Sequence, residues 1–595
     1  LWHTLSLHDA LPISVFVMMN EILAKAKSWS ENDFFDAPFR KEIAELIAKG
    51  DEDDLTDRFY RDLEFGTGGL RGIIGAGSNR MNKYTVRKAT QGLADYILEW
   101  VAKTKETPRV AIAYDSRHHS DLFSREAATV LAGNGIKVHL YPELRPVPML
   151  SFAVRHLGAT AGIVITASHN PPQYNGYKVY WSDGCQVIEP HDKAIMDKVN
   201  VIEDFSRVKR MDFEEGQSSG LIELIPASLE QDYFDKVEAL SQGKRDFNRR
   251  YGVVYTPLHG SGNYPVREVL RRRGFEKLSI VKSQEEADGG FPTVQSPNPE
   301  EPSALKLAQE SAGEDDQLII GTDPDADRIG VMVKHQGKWH KINGNQIGQL
   351  LLDYLLRKLK EKKQLPDDAV FITTIVTSGL GAEIAESYGV RTIETLTGFK
   401  YIGSVIRELE TSGKGSFLFG TEESHGYLMG DFVRDKDAVI ASMVFAELCA
   451  EAHQKGKTIV DELDRIHQQY SYHTDSLINK VIEGHTGAQK IKDIMAFLRD
   501  NPPASIADIP VAFIRDYLER TITDHKSNAV IGETEQPSSN VLAFYLEDGS
   551  RITARPSGTE PKIKFYFNLK GSDASTLETK RINYEKDFLS IIDQV

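Results

Sequence analysis

The chain has 595 residues, too many for a single hydrophobic core, so about three to five domains are expected. Its net charge of −16 excludes a general binder of nucleic acid or anionic membranes, but it leaves room for cations gathered around an anionic substrate. With Cys185 and Cys449 as its two cysteines, the sequence excludes a disulfide framework and predicts a cytoplasmic protein.

Residues 1–18 are predicted to be a non-native or disordered leader, with Met18 or Met19 as the natural start. A signal peptide is the alternative, because residues 11–19 are apolar and residues 24–26 resemble a cleavage site. The absence of Lys and Arg from residues 1–17 counts against that alternative. No uninterrupted apolar run approaches the length of a membrane span, so no membrane partner is predicted.

Helices and strands alternate in the first part of the chain. Residues 20–60 are predicted as acidic amphipathic helices, and the segments 86–102, 109–114, 121–133 and 135–141 as helix, strand, helix and strand. This alternation predicts a mixed or mostly parallel α/β sheet. The glycine-rich residues 64–72 include Arg71, a bidentate donor for phosphate or carboxylate, but match neither a P-loop nor a GxGxxG turn.

Residues 162–165 form a short apolar run that ends at Thr166-Ala167-Ser168-His169-Asn170 and two prolines. This pattern predicts a buried strand that delivers Ser168 onto a loop. Because open α/β sheets place their sites at this edge, we hypothesise that Ser168 carries a phosphoryl group; the alternative is a simple turn-forming serine. Lys178 begins the returning strand near the same loop, and a solvated edge lysine is its alternative.

A second α/β run follows a polar stretch, 200–222, that is predicted to be a linker. Its strand 318–322 leads into Asp323, Asp325 and Asp327, whose mutual repulsion is costly without a cation. Carboxylate oxygens suit Mg²⁺ or Ca²⁺, and the set leaves positions open for a phosphate. An EF-hand is excluded because Arg328 and Lys334 stand where that loop needs Gly and Glu; a solvated acidic turn remains the alternative.

The remaining chain predicts two further units with one polar loop each. In the third unit, strand 416–419 ends in residues 420–426, whose carboxylates, hydroxyl and imidazole suit sugar hydroxyls or a second metal. In the last unit, strands 551–554 and 563–568 flank residues 555–562. Arginine, hydroxyls, glycine and lysine converge there within eight residues, which predicts a phosphate cradle on a hairpin.

Four of these segments occur together in the order 166–171, 323–328, 420–426 and 555–561. In that combination the chain resembles the α-D-phosphohexomutase superfamily, from about residue 20 to the end. The resemblance implies an α/β protein of four domains around a central cleft: three similar mixed-sheet sandwiches and a C-terminal α+β domain like the TATA-binding protein. After the leader 1–18, the implied domains are 19–215, 216–335, 336–470 and 471–595.

The same resemblance implies the roles of the site residues. Ser168 would be the phosphoserine and Lys178 the general acid/base, with His169, Arg71 and Arg328 lining the transfer site. Mg²⁺ would be held by Ser168, Asp323, Asp325 and Asp327. The predicted substrate-binding residues are Thr397, Gly398, Lys400, Glu422, Ser424, His425 and Arg434. The predicted phosphate-binding residues are Arg555, Ser557, Gly558, Thr559 and Lys562.

The implied reaction is the interconversion of α-D-glucose 1-phosphate and glucose 6-phosphate through a phosphoserine enzyme and glucose 1,6-bisphosphate. Residues 397–400 and 422–426 resemble the phosphoglucomutase/phosphopentomutase branch, so ribose or deoxyribose 1-phosphate is an alternative substrate, and mannose phosphate another. A silent homologue and a net phosphatase are alternatives of other classes. The expected partner is a small sugar phosphate, and the expected state is a monomer or weak homodimer.

Overall fold

The computed structural model describes residues 10–64, 66, 69–482, 487–557 and 562–594, with side chains from Met18 onward. Four sheets, of six, five, four and eight strands, succeed one another along this part of the chain. The first three mix parallel and antiparallel strands, and the fourth is antiparallel. The predicted four-domain α/β fold is confirmed.

The first sheet has the order β1-β5-β4-β2-β3-β6, and helices cover both of its faces. Its strands are β1 Gly69–Ile73, β2 Arg109–Tyr114, β3 Lys137–Leu140, β4 Ala161–Ile165, β5 Tyr174–Trp181 and β6 Ile222–Leu224. Its helices are α1 Ala10–Glu31, α2 Ala37–Lys49, α3 Glu52–Phe59, α4 Lys83–Thr104, α5 Ser120–Gly133, α6 Val147–His156, α7 His191–Asn200 and α8 Phe213–Ser218, with a 3-10 turn at Phe205–Arg207.

One feature of this region differs from the sequence predictions. The stretch 200–222 is not a free linker, because it contains α8 and leads into β6, which pairs in parallel with β3. Helix α1 begins at Ala10, inside the predicted leader 1–18, of which residues 1–9 lie outside the described part. From Ile22 onward α1 packs on α2 and α3 through a cluster that includes Trp29 and Phe59.

The second sheet has the order β11-β10-β9-β7-β8. Its elements are α9 Ala227–Ala239, α10 Arg245–Asn248, β7 Gly252–Thr256, α11 Asn263–Arg272, β8 Leu278–Ile280, α12 Lys282–Glu285, a 3-10 turn Pro302–Leu305, α13 Lys306–Ser311, β9 Asp316–Thr322, β10 Ile329–His335 and β11 Lys338–Ile342.

The third sheet has the order β13-β12-β14-β15. Its elements are α14 Gly344–Glu361, β12 Ala369–Thr374, α15 Leu380–Ser387, β13 Arg391–Thr395, α16 Phe399–Ser412, β14 Ser416–Glu422, β15 Gly426–Met429, α17 Ala438–Gln454 and α18 Ile459–Gln469. Helix α17 is buried almost all round, because it lies inside the largest hydrophobic cluster, which joins the first three units.

The fourth sheet has the order β16-β23-β22-β21-β18-β19-β20, with β17 added beside β18. Its elements are β16 Tyr472–Val481, α19 Gly487–Asp500, β17 Ser505–Ile506, β18 Ile509–Asp516, β19 Thr521–Asp524, β20 Ala529–Glu533, β21 Leu542–Leu546, β22 Arg551–Pro556, β23 Lys562–Gly571 and α20 Ala574–Ile592. Helices α19 and α20 pack on one face through Leu498 and Phe588.

A common device positions the predicted loops. In each of the first three sheets, a buried parallel strand is followed directly by its antiparallel neighbour: β4 by β5, β9 by β10, and β14 by β15. The connecting turns hold Ser168, the three aspartates and Ser424. In the fourth sheet the corresponding hairpin joins β22 to β23. Ser168, the aspartates and Ser424 therefore occupy equivalent turns of the first three units.

Candidate active site

The Ser168 loop is fixed by backbone hydrogen bonds to buried side chains. Ser168 is 3% exposed and has a φ of +53°, a left-handed conformation that costs energy for a residue with a Cβ. Its N–H donates to the Thr166 hydroxyl at 2.8 Å. The Arg117 guanidinium donates to the Ser168 carbonyl at 2.6 Å and also to the carbonyls of Asn170, Pro171 and Tyr174.

The three aspartates after β9 form one buried group. Oxygens of Asp323, Asp325 and Asp327 lie within 4.8 Å of one another. The Ser168 hydroxyl donates to Asp323 Oδ2 at 2.8 Å, so the loops of the first and second sheets meet here. Asp325 Oδ1 and Asp327 Oδ1 are buried without a hydrogen-bond partner among the described residues. Hard, anionic, partly unsatisfied oxygens of this kind fit a divalent cation.

Two lysines offset part of the negative charge. Lys178 Nζ lies 2.9 Å from Asp325 Oδ2, and Lys436 Nζ lies 3.0 Å from Asp327 Oδ2. Burial and the neighbouring carboxylates raise the pKa of Asp323 and of Asp327. Burial also acts to raise the pKa of Asp325, but the Lys178 ammonium outweighs it and the pKa of Asp325 falls below its usual range.

The predicted transfer-site residues lie around the Ser168 loop and the aspartate group. His169 Nδ1 lies 3.0 Å from Ser168 Oγ, and burial together with the Arg328 charge lowers the pKa of His169 well below its usual value. The Arg328 N–H donates to Asp323 Oδ1 at 3.1 Å, while its guanidinium pairs with Glu300. Arg71 Nη1 lies 3.5 Å from Asn170 Oδ1, at the exposed side of the loop.

The turn between β14 and β15 is hydrogen-bonded to the start of β10, next to the loop that carries the aspartates. Burial lowers the pKa of His425 to about 4, so the neutral ring lies with Nδ1 2.8 Å from the Ile329 carbonyl. The Glu422 carboxylate accepts the Gly398 N–H at 2.8 Å, and burial raises its pKa. Ser424 precedes His425 in the sequence of the turn, and its side chain is half-buried. Glu422, Gly398 and His425 are thus brought to one turn.

The hairpin that carries the predicted phosphate-binding residues faces this turn from the fourth sheet. Arg555 pairs across the hairpin with Lys564, and the Ser557 N–H donates to the Lys562 carbonyl at 2.8 Å. Burial and Glu422 raise the pKa of Glu423 to about 7, while the charges of Lys564 and Arg555 act to lower it. These interactions place the hairpin beside the β14–β15 turn. Gly558 and Thr559 lie outside the described residues.

Two predicted substrate residues lie between the first and third units. The Lys400 carbonyl accepts from Cys185 Sγ at 3.4 Å, and burial lowers the pKa of the Lys400 ammonium. The buried Arg434 guanidinium donates to Glu410 at 2.8 Å, and the Arg434 backbone N–H donates to the Ser151 hydroxyl at 2.9 Å. In this structure Arg434 joins two units, and its contact with substrate stays a prediction, as does that of Thr397.

Comparison with known proteins identifies the architecture. Models described as phosphoglucomutase/phosphomannomutase α/β/α domains I, II and III match residues 62–205, 231–337 and 343–470, and the C-terminal domain model matches residues 514–583. The chain belongs to the phosphoglucomutase/phosphomannomutase family. It is thereby a member of the α-D-phosphohexomutase superfamily, a group of isomerases that act as intramolecular phosphotransferases.

The chain is also similar to individual proteins, two of them by sequence and one by structure. A phosphoglucomutase of Staphylococcus haemolyticus is 37% identical over 537 residues, covering 88% of this chain and 94% of the relative. One of Staphylococcus epidermidis is 39% identical over 509 residues, covering 85% and 90%. The Paramecium phosphoglucomutase pp63/parafusin shares the fold with a TM-score of 0.66 at 19% identity, covering 90% of this chain and 95% of the other.

The sequence predictions did not include three charged residues of this site, of which Arg117 is buried and Lys436 and Glu300 are partly buried. Arg117 holds the Ser168 loop, Lys436 pairs with Asp327, and Glu300 pairs with Arg328. Arg117 lies shortly after β2, and Lys436 lies shortly before α17. Charged residues are common at such positions, so the local sequence does not distinguish these two. Their partners lie 51 or more residues away in the chain, and only the tertiary structure reveals the pairs.

Among the described residues, no helix combines the length and apolarity needed to cross a membrane.

Proposed function

We propose that the protein is a phosphoglucomutase that interconverts α-D-glucose 1-phosphate and glucose 6-phosphate. The observation that carries the proposal is the convergence of Ser168 Oγ, the aspartate group and Lys178, with Ser168 Oγ 2.8 Å from Asp323 Oδ2. Relatives named phosphoglucomutase at 37% and 39% identity over most of the chain support glucose phosphate over ribose or mannose phosphate.

In the proposed cycle, Ser168 begins as a phosphoserine. A free hydroxyl of the bound hexose phosphate attacks the phosphorus, the P–O bond to Ser168 breaks, and glucose 1,6-bisphosphate forms. Lys178, which must first lose its own proton, accepts the hydroxyl proton as the neutral amine. The bisphosphate then reorients, its other phosphoryl group returns to Ser168 Oγ, and Lys178 gives the proton back to the departing sugar oxygen. The enzyme ends as it began, so no water is consumed.

The surrounding residues position charge for this transfer. Arg71 and Arg328 would face the transferring phosphoryl group, and Arg555, Ser557 and Lys562 would grip the other phosphate, together with Gly558 and Thr559. The Glu422 carboxylate would accept hydrogen bonds from sugar hydroxyls, and the Ser424 hydroxyl would donate one to a sugar oxygen. Because both bisphosphate orientations must fit, the cradle recognises charge more than sugar shape.

The metal proposed is Mg²⁺, held by Asp323, Asp325, Asp327 and the Ser168 phosphoryl group. The buried carboxylate oxygens without hydrogen-bond partners fit this ion. When bound, it would withdraw charge from the phosphoryl group. We further propose a cytoplasmic protein that works as a monomer or weak homodimer.

A coupled assay tests the activity. The assay contains Mg²⁺ and catalytic glucose 1,6-bisphosphate. The kcat/KM for glucose 1-phosphate should be at least tenfold higher than that for ribose 1-phosphate or mannose 1-phosphate. This ratio corresponds to about 1.4 kcal/mol of additional transition-state binding. Faster turnover of ribose 1-phosphate would reassign the substrate. Protein that carries one phosphate by intact mass yet isomerises none of these sugars would contradict the proposal.

The phosphoserine is tested by Ser168→Ala. Loss of the phosphoryl carrier should lower kcat by at least about 10³-fold and remove the bound phosphate from the intact mass. Ser206→Ala, an exposed serine of the same unit, is the matched control and should behave as wild type. Turnover of Ser168→Ala close to that of the control would overturn the assignment.

A further inference from the structure

Glu300 lies on a long loop of the second unit, 288–302, that passes over the Ser168 loop. The Ser296 hydroxyl donates to the His169 carbonyl at 3.1 Å, and the Phe291 ring lies 5.0 Å from the Arg117 guanidinium carbon. Through these contacts the loop touches both the turn that carries Ser168 and the arginine that fixes that turn. We call residues 288–302 the crossing loop.

The end of the crossing loop is held rigidly. A Cβ on Gly330 would lie 1.9 Å from the Pro299 carbonyl oxygen, so β10 and the loop are in the closest possible backbone contact. Lys341 Nζ donates to the same carbonyl at 2.9 Å. The Glu300 N–H donates to Asn298 Oδ1 at 3.1 Å. Glu300 therefore projects from a fixed backbone.

The carboxylate of Glu300 pairs with Arg328, the residue that directly follows the aspartate group. The two side chains are 27% and 19% exposed, so water screens the pair only weakly. Burial opposes ionisation of Glu300, yet the Arg328 charge holds the Glu300 pKa at about 2. Glu300 is thus an anion among groups of the phosphoryl-transfer site.

We propose that Glu300 is a positioning residue that stands in for phosphate: it neutralises and orients Arg328 while Ser168 carries no phosphoryl group, and it yields the guanidinium to phosphate when one is present. This inference rests on the proposed transfer at Ser168. Without Glu300, the partly buried Arg328 guanidinium would keep only Asp327 Oδ1 at 3.7 Å, on a carboxylate that also pairs with Lys436. A permanent partner in place of Glu300, however, could not release the guanidinium to the phosphate. Competition between two anions for one guanidinium solves both problems.

Binding of inorganic phosphate tests the competition without any turnover. In a Ser168→Ala background, which cannot be phosphorylated, isothermal titration should give a phosphate Kd about tenfold lower when Glu300→Gln is added, because a competing anion is removed. Glu301→Gln, the exposed neighbour, is the control and should leave Kd unchanged. A Kd within twofold of the background, or a higher one, would overturn the proposal.

Kinetics separate positioning from simple structural support. With native Ser168, Glu300→Gln should lower kcat about tenfold while KM for glucose 1-phosphate stays level or falls, because phosphate is held more tightly in the ground state. Glu300→Asp keeps the charge and should restore the phosphate Kd to within about twofold of the background. A rise in KM with unchanged kcat would contradict the role. If the wild-type protein isomerises no sugar phosphate, the proposed function fails while the phosphate titration still decides the role of Glu300.

Discussion

At the scale of single residues, the site is a group of buried charges that compensate one another incompletely. Three carboxylates face two lysines, Lys178 and Lys436, and two carboxylate oxygens of the group have no hydrogen-bond partner in the described structure. Such an arrangement costs stability in the metal-free protein. In the proposed reaction, the same charges would prepare the site for a cation and a phosphoryl group.

Replacing one carboxylate by its neutral isostere should therefore separate stability from function. In Asp327→Asn, repulsion with Asp325 disappears, so the metal-free protein should gain about 1 kcal/mol of unfolding free energy. The same variant should lose most of the thermal stabilisation that Mg²⁺ gives the wild type, together with its mutase activity. Thermal unfolding followed by circular dichroism, in EDTA and in Mg²⁺, measures both effects.

Asp367→Asn provides the comparison, because Asp367 is exposed and lies outside the site. It should respond to EDTA and Mg²⁺ as wild type does. A lower melting temperature of Asp327→Asn in EDTA would show that the carboxylate contributes more through Lys436 than it costs through repulsion.

At the scale of elements, the site depends on turns whose backbone conformation is unusual. Ser168, Ala326 and His425 all have φ between +44° and +62°, one in each turn that follows β4, β9 and β14. Residues with a Cβ occupy this region at a cost, so neighbouring elements must hold the turns in place. The start of α14 is one such support, since Gly344 lies directly against the backbone of the β14–β15 turn.

A methyl group at Gly344 should move that turn. The added Cβ would lie 2.0 Å from the Glu423 carbonyl oxygen, so either the turn or the helix must shift. Gly344→Ala should raise KM for glucose 1-phosphate about tenfold or more through displaced sugar-binding groups, as steady-state kinetics would show. In Gly313→Ala the nearest atom, Asp316 Oδ2, is 3.5 Å away, and this control should leave KM unchanged. Unchanged KM in Gly344→Ala would mean that Glu422 and Ser424 do not bind the sugar.

At the scale of the whole molecule, polar contacts fix the fourth unit on the third. Asn568 Nδ2 donates to the Val376 carbonyl at 3.2 Å, and Lys570 Nζ lies 2.7 Å from Glu383 Oε1. Glu383 also accepts from Ser471 and lies 3.3 Å from His473 Nε2. These contacts determine where the β22–β23 hairpin, with the proposed phosphate-binding residues, lies relative to the β14–β15 turn.

Glu383 makes this attachment dependent on pH. Burial acts against its ionisation, but hydrogen bonds from His473, Lys570 and Ser471 lower its pKa to about 2. A depressed carboxyl pKa stabilises the folded protein above the unfolded value, near 4.5, and this contribution is lost as pH falls towards 2. Glu383→Gln should thus lower unfolding free energy by about 1–2 kcal/mol at pH 7, and the difference from wild type should shrink below pH 4.5.

Thermal unfolding of both proteins between pH 7 and pH 3.5 measures that difference. Glu386→Gln, exposed on the same helix, is the matched control and should show no such pH dependence. A gap between Glu383→Gln and wild type that stays constant over this range would argue against an ionised Glu383 at the interface.

The sequence by itself determined those strands, helices and turns whose signals lie within a few consecutive residues. Apolar strands that end in short polar turns can be recognised from the sequence. For this reason the α/β fold and the turns carrying Ser168, the aspartates and Ser424 were predicted. The long strand β16 and the hairpin β19–β20 were not predicted, because their residues are half-buried or exposed and show no apolar run.

Only the tertiary structure decided which charges meet. Arg117, Glu300 and Lys436 are ordinary charged residues in the sequence, and their partners come from other segments of the chain. The pairing follows from how four sheets place their turns together, since the energy of a buried charge depends on its neighbours in space rather than along the chain. For the same reason, the structure gave Arg434 a contact with Glu410 that its position before α17 did not indicate.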